Sequence, residues 1–101
     1  MELGVTVQMS SPVRVAMDGE LDIACAGFLE SLLGLVVGVG AGELVLDLSR
    51  VDFIDCRGVG VLLTARKLVA ATGGALRLDQ VPGRVRRVIS LAGASALLTP
   101  A

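Results

Sequence analysis

The segment Glu43-Leu-Val-Leu-Asp-Leu-Ser49 constrains this chain more than any other. Its middle, Leu44, Val45 and Leu46, is apolar without alternation, the pattern of a strand covered on both faces. Such a strand suits a parallel sheet, and parallel strands are joined by helical crossovers. The flanking sequence must therefore supply helices.

It does. Leu3 to Val7 reads as a strand with Leu3, Val5 and Val7 on one face. Ser10, Ser11 and Pro12 form a turn, after which Val13, Val15 and Met17 alternate with Arg14, Ala16 and Asp18. These two strands form an antiparallel hairpin, and Asp18-Gly19 is expected to end the second. Asp22 is placed as the N-cap of a helix starting near Ile23, with Ile23, Phe28, Leu32 and Leu35 expected inward and fraying from Gly34 to Gly42. After the central strand, Val51 to Ile54 is expected to be a connection. A second helix then runs from the Asp55-Cys56-Arg57-Gly58 turn to about Thr72, where Gly73-Gly74 stops it.

On that second helix Val61, Leu62, Ala65, Leu68 and Val69 form the expected buried stripe, while Arg57, Gly60, Thr64, Lys67 and Ala71 face outward. Ala75 to Asp79 reads as a strand. Pro82 fits the first turn of a third helix that points Val85, Val88 and Ile89 inward and ends at Gly93. Residues 94–101 either add a short last strand around Leu97 and Leu98 or pack as an irregular tail. The fold class is α/β, a mixed sheet of four to five strands with an antiparallel edge, a parallel centre, right-handed crossovers and helices packed on it.

At 101 residues the chain is expected to be one domain, 1–101, and its 53% hydrophobic content is enough for a core. It contains no His, Trp or Tyr. That excludes serine triads, histidine-bearing metal sites and tyrosine or tryptophan stacking platforms. Cys25 and Cys56 match no zinc or redox spacing and are expected to be free thiols, with no metal and no cofactor. A secretory leader is not expected after Met1-Glu2, nor membrane insertion, since the longest uncharged stretch, 88–101, is shorter than a spanning helix and contains Pro100. A cytoplasmic protein is the expectation.

Charge is unevenly distributed. Residues 1–55 carry nine acids and two bases, Arg14 and Arg50; residues 56–101 carry seven bases and one acid, Asp79. The two halves fold against each other, so mutual compensation is expected rather than a nucleic-acid surface.

Five pieces in order, Asp18-Gly-Glu-Leu-Asp22, Val45-Leu-Asp-Leu-Ser49, Val51-Asp-Phe-Ile-Asp55-Cys-Arg-Gly58-Val-Gly-Val-Leu-Leu63, Gly73-Gly-Ala-Leu and Val85-Arg-Arg-Val-Ile-Ser-Leu-Ala-Gly93, resemble the STAS domain of bacterial anti-sigma factor antagonists. The resemblance covers essentially the whole chain. It implies a STAS-like fold and a non-enzymatic partner switch that binds an anti-sigma factor, often also a Ser/Thr kinase, and so regulates transcription. In the family pattern a serine at the start of the second helix is phosphorylated and binding is then lost. The matching position here is Arg57, which cannot accept a phosphoryl group and places about +1 where the phosphorylated form holds −1.5 to −2.

The partner surface is expected on Asp22, Asp55, Cys56 and Arg57 from the resemblance, joined by Gly58, Val59, Gly60 and Leu63 from their place on the second helix. Each has a plainer reading beside it. Asp55 and Asp22 suffice as helix caps. Arg57 can be a solvated side chain folded back on Asp55 or Asp22. Cys56 at a helix N-terminus is either a reactive thiol or, as expected, a small buried hydrophobe. Gly58 and Gly60 suit close backbone approach, and Val59 with Leu63 suggests an exposed apolar ridge. Two other functions stay open: a scaffold subunit of a lipid-transport ABC system or stress-sensing assembly, and a thiol-dependent enzyme or redox sensor using Cys56.

Overall fold

The computed structural model describes residues 3–38 and 42–98. The strands are β1 (Leu3–Gln8), β2 (Val13–Leu21), β3 (Glu43–Ile54) and β4 (Ala75–Asp79); the helices are α1 (Ala26–Gly38), α2 (Cys56–Ala71) and α3 (Gly83–Leu91). A short 3-10 helix, Ser95–Leu98, closes the described chain with Leu97 buried, in place of the last strand. Residues 99–101 of the expected tail lie outside the described residues, as do 39–41 of the expected fraying.

The four strands lie in the order β1-β2-β3-β4. β1 pairs antiparallel with β2, whereas β2 with β3 and β3 with β4 run parallel. Leu44, Val45 and Leu46 are fully buried, as their unbroken apolar run requires. Helices cover only one face of this segment. Leu44 and Leu46 belong to the main hydrophobic cluster, whereas Val45 stands outside it, in register between Arg14 and Arg77. On that second face Arg14 reaches Asp47 at 3.1 Å and Asp79 at 2.8 Å. Asp47 and Asp79 are register partners, so one guanidinium offsets two neighbouring carboxylates.

Two strands are longer than the sequence suggests. Gly19, at φ +117°, does not end β2; the register with β3 shifts on either side of it, and pairing resumes to Leu21. Val51 to Ile54 is strand because Val51 and Ile54 pair with Gly19 and Leu21 and are buried. Both corrections have one cause: a bulge lets a strand continue past a glycine.

α1 departs further. Ile23–Cys25 is a turn, the helix starts at Ala26, and Ala26, Leu29, Leu33, Val36 and Val37 are buried. Of the expected inward residues, Ile23, Phe28 and Leu35 are exposed and Leu32 is half-buried. The helix is apolar almost all round, so its own periodicity does not fix its phase; packing does. On α2, Leu68 is exposed and Val59 joins Val61, Leu62, Ala65 and Val69 inside. α3 begins one residue later than expected, with Pro82 as its N-cap residue, and buries Val85 and Ile89 while Val88 is half-buried. Full burial of side chains such as Leu62 and Ile89 contributes roughly 1.5–3 kcal/mol each.

The charge compensation expected between the two halves is not made by ion pairs. Among the described residues the pairs are Arg14 with Asp47 and Asp79, and Arg50 with Asp18; none joins an acid of 1–55 to a base of 56–101.

Candidate functional site

The first turn of α2 is held from two sides. Asp55, in extended conformation, caps the helix by accepting the Gly58 N–H at 3.0 Å through Oδ1. Its Oδ2 accepts the Ile23 N–H at 3.2 Å, and its own N–H donates to the Leu21 carbonyl at 3.1 Å. A Cβ at Gly58 would collide with the Leu21 carbonyl oxygen and press on Ile54. The glycine is therefore required within the fold, where the helix tip meets the end of β2.

The β2–α1 turn is fixed by Asp22 and Cys25. Asp22 is only 5% exposed, and its Oδ1 accepts the Ala24 N–H at 3.0 Å. It caps a turn three residues ahead of α1 rather than the helix itself. The Cys25 thiol donates to the Glu20 carbonyl at 3.0 Å and accepts the Asp22 N–H at 3.4 Å. Burial pushes the Cys25 thiol above the usual range.

These contacts sort the expected partner residues. Cys56, Arg57 and Gly60 are exposed, Asp55 and Leu63 are half-buried, and Asp22, Gly58 and Val59 are buried. Cys56 is thus not the buried hydrophobe expected, because it lies on the outer side of the helix start while Val59 takes the inner side. The apolar ridge expected at Val59 does not exist. Arg57 has no carboxylate within ion-pair distance among the described residues, so it folds back on neither Asp55 nor Asp22.

Three surface residues at this tip, Ile23, Phe53 and Glu30, escaped the sequence reading, which places Thr64 outward. Ile23, 69% exposed, and Phe53, 46% exposed, stand at the strand ends next to α2's first turn. Glu30 and Thr64 join Cys56, Arg57, Gly60 and Val61 around a cleft of about 210 Å³ between α1 and α2. That volume is below the roughly 300 Å³ at which small-molecule sites begin. Asp55 offered a signal for Phe53, since a cap carboxylate must stand at the strand's open end. Among the described residues no group of three His, Cys, Asp or Glu is placed to hold a metal, and no helix is long and apolar enough to cross a membrane.

Exposed Cys56, Arg57, Ile23 and Phe53 thus ring a helix tip whose backbone Asp55 holds from two sides. Residues 5–100 match the STAS domain family. The chain belongs to the STAS family. This STAS chain is 31% identical over 94 residues to the anti-sigma-B factor antagonist of Bacillus subtilis (strain 168), spanning 92% of this chain and 85% of that relative. A solved anti-sigma factor antagonist from Mycobacterium paratuberculosis superposes with a TM-score of 0.83 at 27% identity, over 96% of this chain and 83% of that one. The unphosphorylated form of the anti-sigma factor antagonist SpoIIAA superposes at 0.82 and 23% identity, over 97% and 88%, a likeness of fold alone. By homology and structure, this STAS chain is a member of the anti-sigma factor antagonist family.

Proposed function

We propose that the protein acts as a non-enzymatic anti-sigma factor antagonist that docks on an anti-sigma factor in the cytoplasm through the first turn of α2, without phosphorylation control at position 57. The carrying observation is Arg57: an exposed guanidinium, with no ion-pair partner among the described residues, at the helix position where the family pattern has its phosphorylated serine. Its charge opposes the helix dipole, so helix stability does not explain it, whereas a carboxylate on a partner would. Around it, Cys56 and Gly60 on α2 with Ile23 and Phe53 beside them supply exposed, partly apolar contact area on a backbone held by Asp55. Ser49 and Thr64 are exposed hydroxyls, but neither takes the family's position.

The test is incubation with the anti-sigma factor encoded in the same genome and ATP. A complex should form with no phosphoprotein; stoichiometric phosphate on the α2 turn would refute the absence of control. Arg57→Glu should weaken the complex by at least about tenfold through like-charge repulsion. Capture of a transporter ATPase instead of an anti-sigma factor would replace this reading with the scaffold one.

A further inference from the structure

We infer that the β1 edge and the adjoining flank of α1 form a self-pairing surface through which two copies of this chain associate, β1 lying antiparallel to β1 of the second copy. Among the described residues β1 is the end strand of the sheet and bonds to β2 only, so its outward row of backbone N–H and C=O groups has no partner there. Its sequence, Leu-Gly-Val-Thr-Val-Gln, has no charge and no proline, and its register with β2 is unbroken. These are the devices by which edge strands are ordinarily kept from pairing, and β1 has none of them.

The layer above the strand is equally bare. α1 packs beside α2, the 3-10 helix takes the β4 side of α2, and α1 therefore lies on the β1 side of the sheet. Glu30 faces α2 across their shared cleft. Phe28 precedes it by two residues and so projects to nearly the opposite flank, as do Leu32 and Leu35 one and two turns on. Phe28 is 59% and Leu35 71% exposed, and Leu32 is half-buried. Beneath them Leu3, Val5 and Val7 on β1 are half-buried on the same side of the sheet. The molecule's side wall is thus an apolar strip over an open strand edge: β1 carries no charged residue, and the one charged residue of α1, Glu30, faces α2.

A second copy fits this wall better than an arbitrary strand. The occupant must present apolar residues on the helix side, uncharged ones on the other and an unpaired backbone edge, and β1 has all three. A two-fold axis normal to the sheet satisfies both copies at once, without like charges meeting. Strands about 4.8 Å apart would place helices riding between β1 and β2 about 10 Å from each other, the spacing of packed helices. The six-residue strand and thirteen-residue helix are each about 20 Å long, which gives a buried area on the order of 1,000 Å² in total, enough for a reversible dimer but not an obligate one. The tip of α2 stays free in this arrangement, so the inference does not rest on what docks there.

Sedimentation of the full chain over about 1–300 µM tests it. The wild type should show a concentration-dependent dimer, and Thr6→Lys and Phe28→Glu/Leu35→Glu should each weaken it by at least about tenfold while keeping the wild-type circular dichroism. Thr6, Phe28 and Leu35 are exposed in the single copy, so these changes spare its core. In parallel, β1 amides should gain exchange protection as concentration rises. A wild type that stays monomeric, a dimer that survives both variants, or β1 protection indifferent to concentration would each overturn the inference. So would variants that lose anti-sigma factor capture while the wild type shows no dimer, since the wall would then belong to the partner.

Discussion

Asp55 Oδ2 accepts the backbone N–H of Ile23 at 3.2 Å, tying the start of α2 to the turn that leads into α1. The same carboxylate caps α2 through Gly58, so one side chain sets how two elements meet. Asp55→Ala should lower stability by about 2 kcal/mol, and Asp55→Asn, which keeps one acceptor, by about half that. Urea unfolding measures both; coincident midpoints for wild type and the alanine variant would show that the tie contributes nothing.

Gly58 and Gly60 should respond to alanine with opposite signs. At Gly58 a methyl group collides with the Leu21 carbonyl, whereas at Gly60 nothing lies within 4 Å. Gly58→Ala is expected to cost about 1–3 kcal/mol by overpacking and Gly60→Ala to gain about 0.5–1 kcal/mol of helix stability. Thermal melts of the two variants decide it.

The two thiols should separate in a labelling experiment. Cys56 is exposed, while Cys25 is half-buried, hydrogen-bonded to the Glu20 carbonyl and pushed up by burial. Limiting iodoacetamide near neutral pH should give one adduct, on Cys56, by peptide mass mapping. Comparable labelling of Cys25 would mean that the β2–α1 turn opens readily.

Asp47 should shape the acid limb of the stability curve. Its carboxyl is held below the ordinary range, first by the Ser49 N–H at 2.9 Å and also by Arg14. A lowered native pKa means that the charged form is favoured by folding. Its contribution is present above the ordinary carboxylate range, about pH 4, and disappears as pH falls through the lower native value. Asp47→Asn should be less stable by about 1 kcal/mol at pH 7 and should lose less on acidification. Parallel acid limbs in the two proteins would contradict this.

Much of the architecture was legible in order and kind. The unbroken apolar run at Leu44–Leu46 marks the central strand, Asp55 and Gly73 bound α2, and the Gly93 and Pro82 signals frame α3 to within a residue. Each rests on a local rule, a cap or a backbone conformation, that holds whatever the rest of the chain does. The position of Arg57 in the first turn of α2 is likewise read from the sequence.

What the sequence could not decide were the questions answered only by neighbours. The phase of α1 is invisible in a helix apolar on nearly every side, and only packing against α2 and the sheet turns Leu29 and Leu33 inward and leaves Phe28 and Leu35 outside. The continuation of β2 past Gly19 depends on its pairing with β3, and the exposure of Cys56 depends on which side of α2's first turn meets Leu21. Local chemistry thus set the bounds of α2 and α3, whereas long-range contact decided how far β2 and β3 run and which face of each element meets water, because pairing and burial are properties of pairs of elements and not of either one.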